Sequence, residues 1–305
     1  MLGETPLARV RDRLLLFRSL EAVEGLDDDG YALLAEHSRA RFFRRGASIL
    51  EPGRPVETLY VATSGRLAIE RATRVVQDVT TPVGLGFLSF YARSARGESV
   101  VALAPTHTLE LPGGVMLGAL ETNFSLLRSS LRLMARRRLE LRKGLPATRA
   151  HASEARSGRP LPRPHTLVER ILEIHRGVLF RSCNLDAVIE ACRQMRPVRW
   201  GAGEPVWERG DPASTWVRVL EGRVHCEADA GRSVEIGAGF ALGVDDALGG
   251  THRSFSATAA TEVHGLEMDV DAFLLLLAGH FDLAREMLAI LARDLLQLEA
   301  EAAGG

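Results

Sequence analysis

A chain of 305 residues, 46% apolar and 25% charged, has the length for two domains and the composition of a globular protein. Its apolar runs, such as Leu14–Phe17 and Phe273–Ala278, are too short to cross a bilayer, and no small-residue cleavage pattern follows the first. A membrane span and a signal peptide are therefore not expected, and the chain reads as cytoplasmic.

In chain order, the first expected elements are helices over roughly Leu7–Leu20 and Asp28–His37. Short segments follow at Ser48–Leu50, Thr58–Ala62 and Arg66–Glu70, punctuated by glycines, and these read as strands joined by turns. A long apolar-periodic segment, Asn123–Lys143, reads as a helix. Leu145–His165 carries Pro146, Pro160, Pro162 and Pro164 without an apolar period and reads as a linker. Helices are expected again over Thr166–Phe180 and Asp186–Gln194, then strands at Pro205–Trp207, Thr215–Leu220 and Arg223–Cys226, and a closing helix over His280–Ala300.

The two halves are one pattern written twice. Adding 157 carries Gly46, Gly53, Gly65 and Gly86 onto Gly203, Gly210, Gly222 and Gly243, and Arg96 onto Arg253. The same offset carries Phe124, Leu131, Ala135 and Leu139 onto Phe281, Leu288, Ala292 and Leu296. The period is too long for a solenoid unit, so each copy reads as a whole domain. The expected domains are 1–144 and 166–305, with 145–165 as a proline- and arginine-rich linker.

Charge is uneven although the formal net charge is only −1. Between Arg128 and Arg170 stand twelve Arg or Lys against three Glu. This stretch could meet nucleic acid, an acidic partner or anionic lipid, but it lacks aromatic residues for base stacking, and its plainer reading is a solvated helix face running into a charged linker. Cys183, Cys192 and Cys226 show no CxxC spacing and the nine histidines are scattered, so neither a disulfide framework nor a metal site is expected. Leu288, Leu291, Leu295 and Leu298 follow 3–4–3 spacing, which suits either a two-helix seam between copies or packing on the helix's own domain. Arg138 stands on the corresponding stripe of the first copy.

The spacing Gly46–x6–Gly53–x11–Gly65, repeated as Gly203–x6–Gly210–x11–Gly222, resembles the β-roll of the cyclic-nucleotide-binding domain family, which includes catabolite activator proteins and protein kinase A regulatory subunits. The resemblance implies an α+β fold of two tandem β-roll (jelly-roll-like) domains, each flanked by N-terminal and C-terminal helices. It also implies a phosphate-binding cassette at Gly86, Phe87, Arg96 and Ser99 and at Gly243, Val244, Arg253 and Ser254. Both glycine–arginine pairs span the ten residues expected in the family. The glutamate that takes the ribose 2′-hydroxyl in the family is Phe87 in one copy and Val244 in the other. Losing that charge-assisted bond costs about 1.5–3 kcal/mol. Asp245 and Asp246 stand nearby to substitute for it or to repel the phosphate, and Glu98 is placed to pair with Arg96.

No nucleophile elbow, Walker motif or dinucleotide fingerprint stands in a credible setting, so no enzyme activity and no cofactor are expected. After the last helix the chain ends without a helix-turn-helix, so nucleic-acid binding is not expected either. Two readings remain open. One is a signalling protein that senses a nucleotide second messenger (cAMP, cGMP or a cyclic dinucleotide) and acts through a protein partner, with a homodimer through the last helix as one route. The other is a pair of degenerate domains that present surfaces to other proteins.

Overall fold

The computed structural model describes residues 9–20, 23–51, 53–71, 74–77, 81–93, 99–143, 166–228 and 231–304. The expected linker lies outside the described residues. The chain divides into two compact units, residues 1–133 with 288–305 and residues 134–287.

The first unit opens with α1 (Val10–Arg18) and α2 (Asp28–His37). Asp27 caps α2 by accepting a hydrogen bond from the Gly30 amide at 2.8 Å, which satisfies one of the amides a helix start leaves unpaired. Eight strands follow: β1 (Arg39–Phe43), β2 (Ser48–Leu50), β3 (Thr58–Ser64), β4 (Leu67–Arg71), β5 (Arg74–Gln77), β6 (Val83–Leu85), β7 (Ser99–Ala102) and β8 (Thr106–Pro112). A short helix, α3 (Phe87–Ala92), separates β6 from β7, and α4 (Gly113–Thr122) and α5 (Phe124–Lys143) follow β8. The strands form two antiparallel sheets, β1-β8-β3-β6 and β2-β7-β4-β5. Side chains of both sheets meet in one core, with Ala62 and Leu85 of the first against Ile49, Leu67, Ile69 and Val100 of the second. That arrangement buries the apolar face of each sheet, the main driving force for a fold of short strands.

The second unit repeats the element order. It contains α6 (Leu167–Arg176), α7 (Leu185–Gln194) and strands β9 (Arg196–Trp200), β10 (Pro205–Trp207), β11 (Thr215–Glu221), β12 (Arg223–Glu227), β13 (Ser233–Gly237) and β14 (Ala241–Leu242). After these come α8 (Val244–Gly249), β15 (Ser256–Ala259), β16 (Val263–Asp269) and α9 (Val270–Gly279). The final helix, α10 (Phe281–Gly304), begins here, and its residues from Leu288 onward belong to the first unit. Strand order is again the same, β9-β16-β11-β14 and β10-β15-β12-β13. Val217, Val219 and Val263 of one sheet pack with Trp207, Val224 and Ile236 of the other. Thr166 and Glu169 form a reciprocal capping box at the start of α6, and Asn184 caps α7.

The six motif glycines expected at turns all have positive φ, between 84° and 114°. The third of each set is also sterically required. A Cβ on Gly65 would lie 2.4 Å from Thr106 Oγ1, and one on Gly222 would lie 2.2 Å from the Glu262 carbonyl oxygen. Only a residue without a side chain lets those backbones pass so closely.

The leucine stripe of the last helix is not an open seam. Leu288, Leu291, Leu295 and Leu298 are all buried within the single chain, so their apolar surface is already spent on intrachain packing. Cys192 and Cys226 are buried, Cys183 is partly exposed, and all three are free thiols. No described helix is long and apolar enough to cross a membrane.

Candidate functional site

The site lies in the second unit and is built around α8. Gly243 caps this helix in the left-handed region at φ +77°, which turns the chain sharply from β14 into the helix. The segment after α8 is pulled back towards its start. Asp246 Oδ2 accepts from the Ser254 amide at 3.3 Å, and the Thr251 amide donates to the Asp246 carbonyl at 3.1 Å. The turn carrying Gly210 fixes Arg253 from the other side: the Arg253 amide donates to the Asp211 carbonyl at 2.8 Å, and the Gly210 amide donates to the Arg253 carbonyl at 3.0 Å. The motif glycine thus has a second role, as an anchor for the arginine.

Held in this way, the Arg253 side chain lies across the Trp207 ring, its guanidinium carbon 3.9 Å from the ring centroid. It crosses so close to Gly243 that a Cβ there would meet Nη1 at 2.3 Å. Arg253 is only 4% exposed. Its Nη2 donates to Thr215 Oγ1 at 3.2 Å, while Nε and Nη1 are buried with no acceptor among the described residues. Burial pulls its pKa below the ordinary arginine value, and the charges of Asp246, Glu267 and Asp211 partly offset this. A buried guanidinium with two unmatched nitrogens costs about 1–3 kcal/mol for each until an acceptor arrives. Both nitrogens remain charged donors for an anion's oxygens, one on each edge of the guanidinium.

Gly243, Val244, Arg253 and Ser254 all line one cavity of about 690 Å³. Its apolar lining, from Leu139, Val234, Ile236 and Phe255 among others, suits a flat ring, and its polar lining is dominated by cations. Val244, at the position where the resemblance led a carboxylate to be expected, brings no acid to the lining. Asp245 does not replace that carboxylate, because both its oxygens are taken: Oδ1 by Arg138 and Oδ2 by Arg142, the latter at 2.7 Å. Arg138 is 3% exposed and Asp245 6%, so this is a buried ion cluster. Arg136 adds a bond from Nε to the Gly249 carbonyl at 2.8 Å. The part of α5 from Met134 onward is therefore fastened to both ends of α8.

These arginines revise the plain reading of the basic stretch. Arg136, Arg137 and Lys143 are exposed, whereas Arg138 and Arg142 do not belong to a solvated face, since both are held on Asp245. Sequence reasoning missed their partners, although one signal was present: the 157-residue offset puts Arg138 opposite Leu295, a buried leucine. A charge on an apolar stripe needs a buried counter-charge. Trp207 and Thr215, which hold Arg253, were also missed as site residues.

In the first unit the described residues carry part of the same geometry. Gly86 caps α3 with φ +85°, as Gly243 caps α8. Phe87 lies against Gly84, its ring within 3.0 Å of where a Cβ on Gly84 would be, and Ser99 opens β7 opposite Glu70. Arg96 and Glu98 lie outside the described residues. No group of histidine, cysteine or carboxylate side chains able to hold a metal occurs among the described residues.

Residues 197–280 match the family model of the cyclic nucleotide-binding domain. The chain is 34% identical over 120 residues to the acetyltransferase Pat of Mycolicibacterium smegmatis, a match covering 36% of each protein. It thus spans about a third of that curated relative. Similar solved structures include the regulatory domain of Toxoplasma gondii PKA with cAMP (13% identity, 99% of this chain and 98% of that one, TM-score 0.37). They also include a cAMP-binding acyltransferase from Mycobacterium smegmatis (26% identity, 36% of each chain, TM-score 0.30). The family match falls within the second unit, whose residues 197–280 are similar to a cyclic nucleotide-binding domain.

Proposed function

We propose that the chain is a non-enzymatic regulatory protein of two tandem cyclic-nucleotide-binding-like domains, in which the second binds a nucleotide second messenger and acts through a protein partner. One observation carries the reading. Arg253 is buried over Trp207 in the wall of a large cavity, with two guanidinium nitrogens unmatched. Such an arrangement costs free energy without an anion and returns it when phosphate oxygens accept both bonds. The cassette is non-canonical in this reading, since no carboxylate follows Gly243.

The first domain favours the other reading, a degenerate site in a structural or protein-binding role. There Phe87 stands in the sequence in place of the ribose acid, and its ring lies against Gly84. The match to Pat covers the shared portion only, and its acetyltransferase activity is not carried over to this chain.

Calorimetric titration of the full chain with cAMP, cGMP and cyclic di-GMP tests the proposal. Binding to at least one ligand is expected. Arg253→Ala should weaken it by about a hundredfold or more, since two charge-assisted hydrogen bonds are lost. Arg253→Lys, which keeps the charge but not the fork, should fall between the two. No heat with any ligand, or binding unchanged in Arg253→Ala, would sink the proposal.

A further inference from the structure

Resting on that reading, we infer that Asp246 is a further ligand-contacting residue of this site, which enters the complex as a neutral acid and donates a hydrogen bond to the anion held by Arg253. The cavity thus takes up a proton together with its phosphate-bearing ligand.

Asp246, Arg253 and Ser254 line the same cavity. Asp246 is only 1% exposed, and its two oxygens are used unequally. Oδ2 accepts from the Ser254 amide at 3.3 Å, whereas Oδ1 is buried with no partner among the described residues. Ser254 follows Arg253 in the chain, so the bond that fixes Oδ2 also sets the acid beside the guanidinium. Of the carboxylates that act on Arg253, Asp246 is the strongest, ahead of Glu267 and Asp211. The two groups are nevertheless not hydrogen-bonded to each other: Nε and Nη1 of Arg253 are as unmatched as Oδ1 of Asp246.

The open oxygen has two possible forms. An ionised carboxyl group only accepts, and its charge would repel a phosphate bound beside it. A protonated one keeps an acceptor and gains an O–H donor. Oδ2 already accepts, from the Ser254 amide, which leaves Oδ1 to carry the proton and offer it to a phosphate oxygen. In that form one anion satisfies all three open atoms, accepting from Arg253 and from Asp246. Burial already favours it: desolvation raises the pKa of Asp246, opposed by the Ser254 bonds and Arg253 and helped by the charge of Asp245. An anion on Arg253 offsets the guanidinium charge and adds a like charge, so the pKa rises further in the complex.

Among the described residues, Asp245 on the same helix is already held by Arg138 and Arg142 of α5. Arg136, Arg209 and Arg232 also line the cavity, and a guanidinium keeps its charge throughout. Glu140 and Lys143, at the end of α5, are bonded to each other. A histidine changes charge within the working range, so His252, the exposed neighbour of Arg253, is substituted in the test.

Binding that takes up one proton is strongest below the pKa of the free site. It weakens about tenfold per pH unit until the pKa of the complex is passed. The test titrates the full chain, carrying His252→Gln, with cAMP, cGMP and cyclic di-GMP by calorimetry between about pH 5.5 and pH 8. For a ligand that binds, affinity should fall by about tenfold or more across this range, and buffers of different ionisation enthalpy should reveal proton uptake. Asp246→Asn keeps an acceptor for Ser254 and a permanent N–H donor. Its affinity should be level in pH, without proton uptake, and exceed that of the parent by about tenfold at the upper end. Asp246→Ala should also be level, but weaker than Asp246→Asn, because the donor is gone. Arg253-dependent binding that is level in pH in the parent, or that keeps its slope in Asp246→Asn, overturns this role for Asp246 and leaves the nucleotide site standing. If no ligand binds the parent or Asp246→Asn at any pH, both fall together.

Discussion

Removing Asp245 should unfold the second unit far more readily than removing any exposed ion-pair partner. Arg138 and Asp245 are 3% and 6% exposed, and Arg142 is nearly as enclosed. Asp245→Ala deletes the carboxylate that both guanidinium groups share and leaves Arg138 buried without that counter-charge. Breaking a buried pair from one side costs about 3–5 kcal/mol. With a urea dependence of about 2 kcal/mol per M, the midpoint should fall by roughly 2 M. Arg138→Leu should cost less, about 1–2 kcal/mol, because Arg142 still holds Asp245 and leucine is the residue at the equivalent position in the second copy. The double variant should be less unstable than the sum of the singles by about 1–3 kcal/mol. The assay is direct, because Trp200, Trp207 and Trp216 are the chain's only tryptophans and all belong to the second unit. Intrinsic fluorescence in a urea titration therefore follows that unit alone. Arg223→Ala is the control. Its bond to Glu235 is short, at 2.8 Å, but both side chains are largely exposed, and such pairs contribute about 1 kcal/mol or less. A midpoint shift for Asp245→Ala no larger than that of Arg223→Ala would refute the argument, as would strict additivity in the cycle.

Three more outcomes are expected from the same structure. Gly210→Ala should cost about 1–2 kcal/mol, the penalty of a left-handed conformation alone, because a Cβ there meets nothing within 4 Å. Gly222→Ala should cost at least twice as much, since its Cβ would add a clash with the Glu262 backbone; equal urea midpoints for the two would count against the geometry. Burial raises the pKa of Asp246 above its ordinary value, chiefly by desolvation. The unfolded chain therefore releases this proton first as pH rises, so the group favours the fold below about pH 4 and that contribution is lost as pH climbs through the raised value. Asp246→Asn lacks this slope, and its stability relative to the wild type should grow from pH 4 to pH 7 in urea titrations; a constant difference would contradict it. Leu291→Glu should lower thermal stability sharply without changing the mass seen by light scattering at low protein concentration, because Leu291 is fully buried inside the chain. A clean fall from dimer to folded monomer would instead reinstate the stripe as a seam.

Particular residues show how far the sequence could be read. Asp28–His37 and Ser48–Leu50 have the same ends in the structure as in the sequence, because an acidic cap and flanking turn residues mark them locally. The sequence reading named no strand at β1, β7, β8, β9, β15 or β16, and β5, β6, β13 and β14 were not legible either. The last four are two to five residues long and owe their existence to neighbours that complete their hydrogen bonds. Gly243, Val244, Arg253 and Ser254 could be named because glycine turns and a fixed glycine–arginine spacing survive in one dimension. Their environment could not be, since Trp207 and Thr215 reach Arg253 from 46 and 38 residues away in sequence.

The amino-acid order alone carries the 157-residue register, the glycine turns and the glycine–arginine spacing, because each depends on local backbone geometry or on a repeated pattern. Only the folded chain decides what Arg138 does. Its partner is 107 residues distant, and no periodicity links two charges that meet across separate elements. Whether an arginine is solvated, paired or poised for a ligand depends on what surrounds its guanidinium, and packing in three dimensions supplies that.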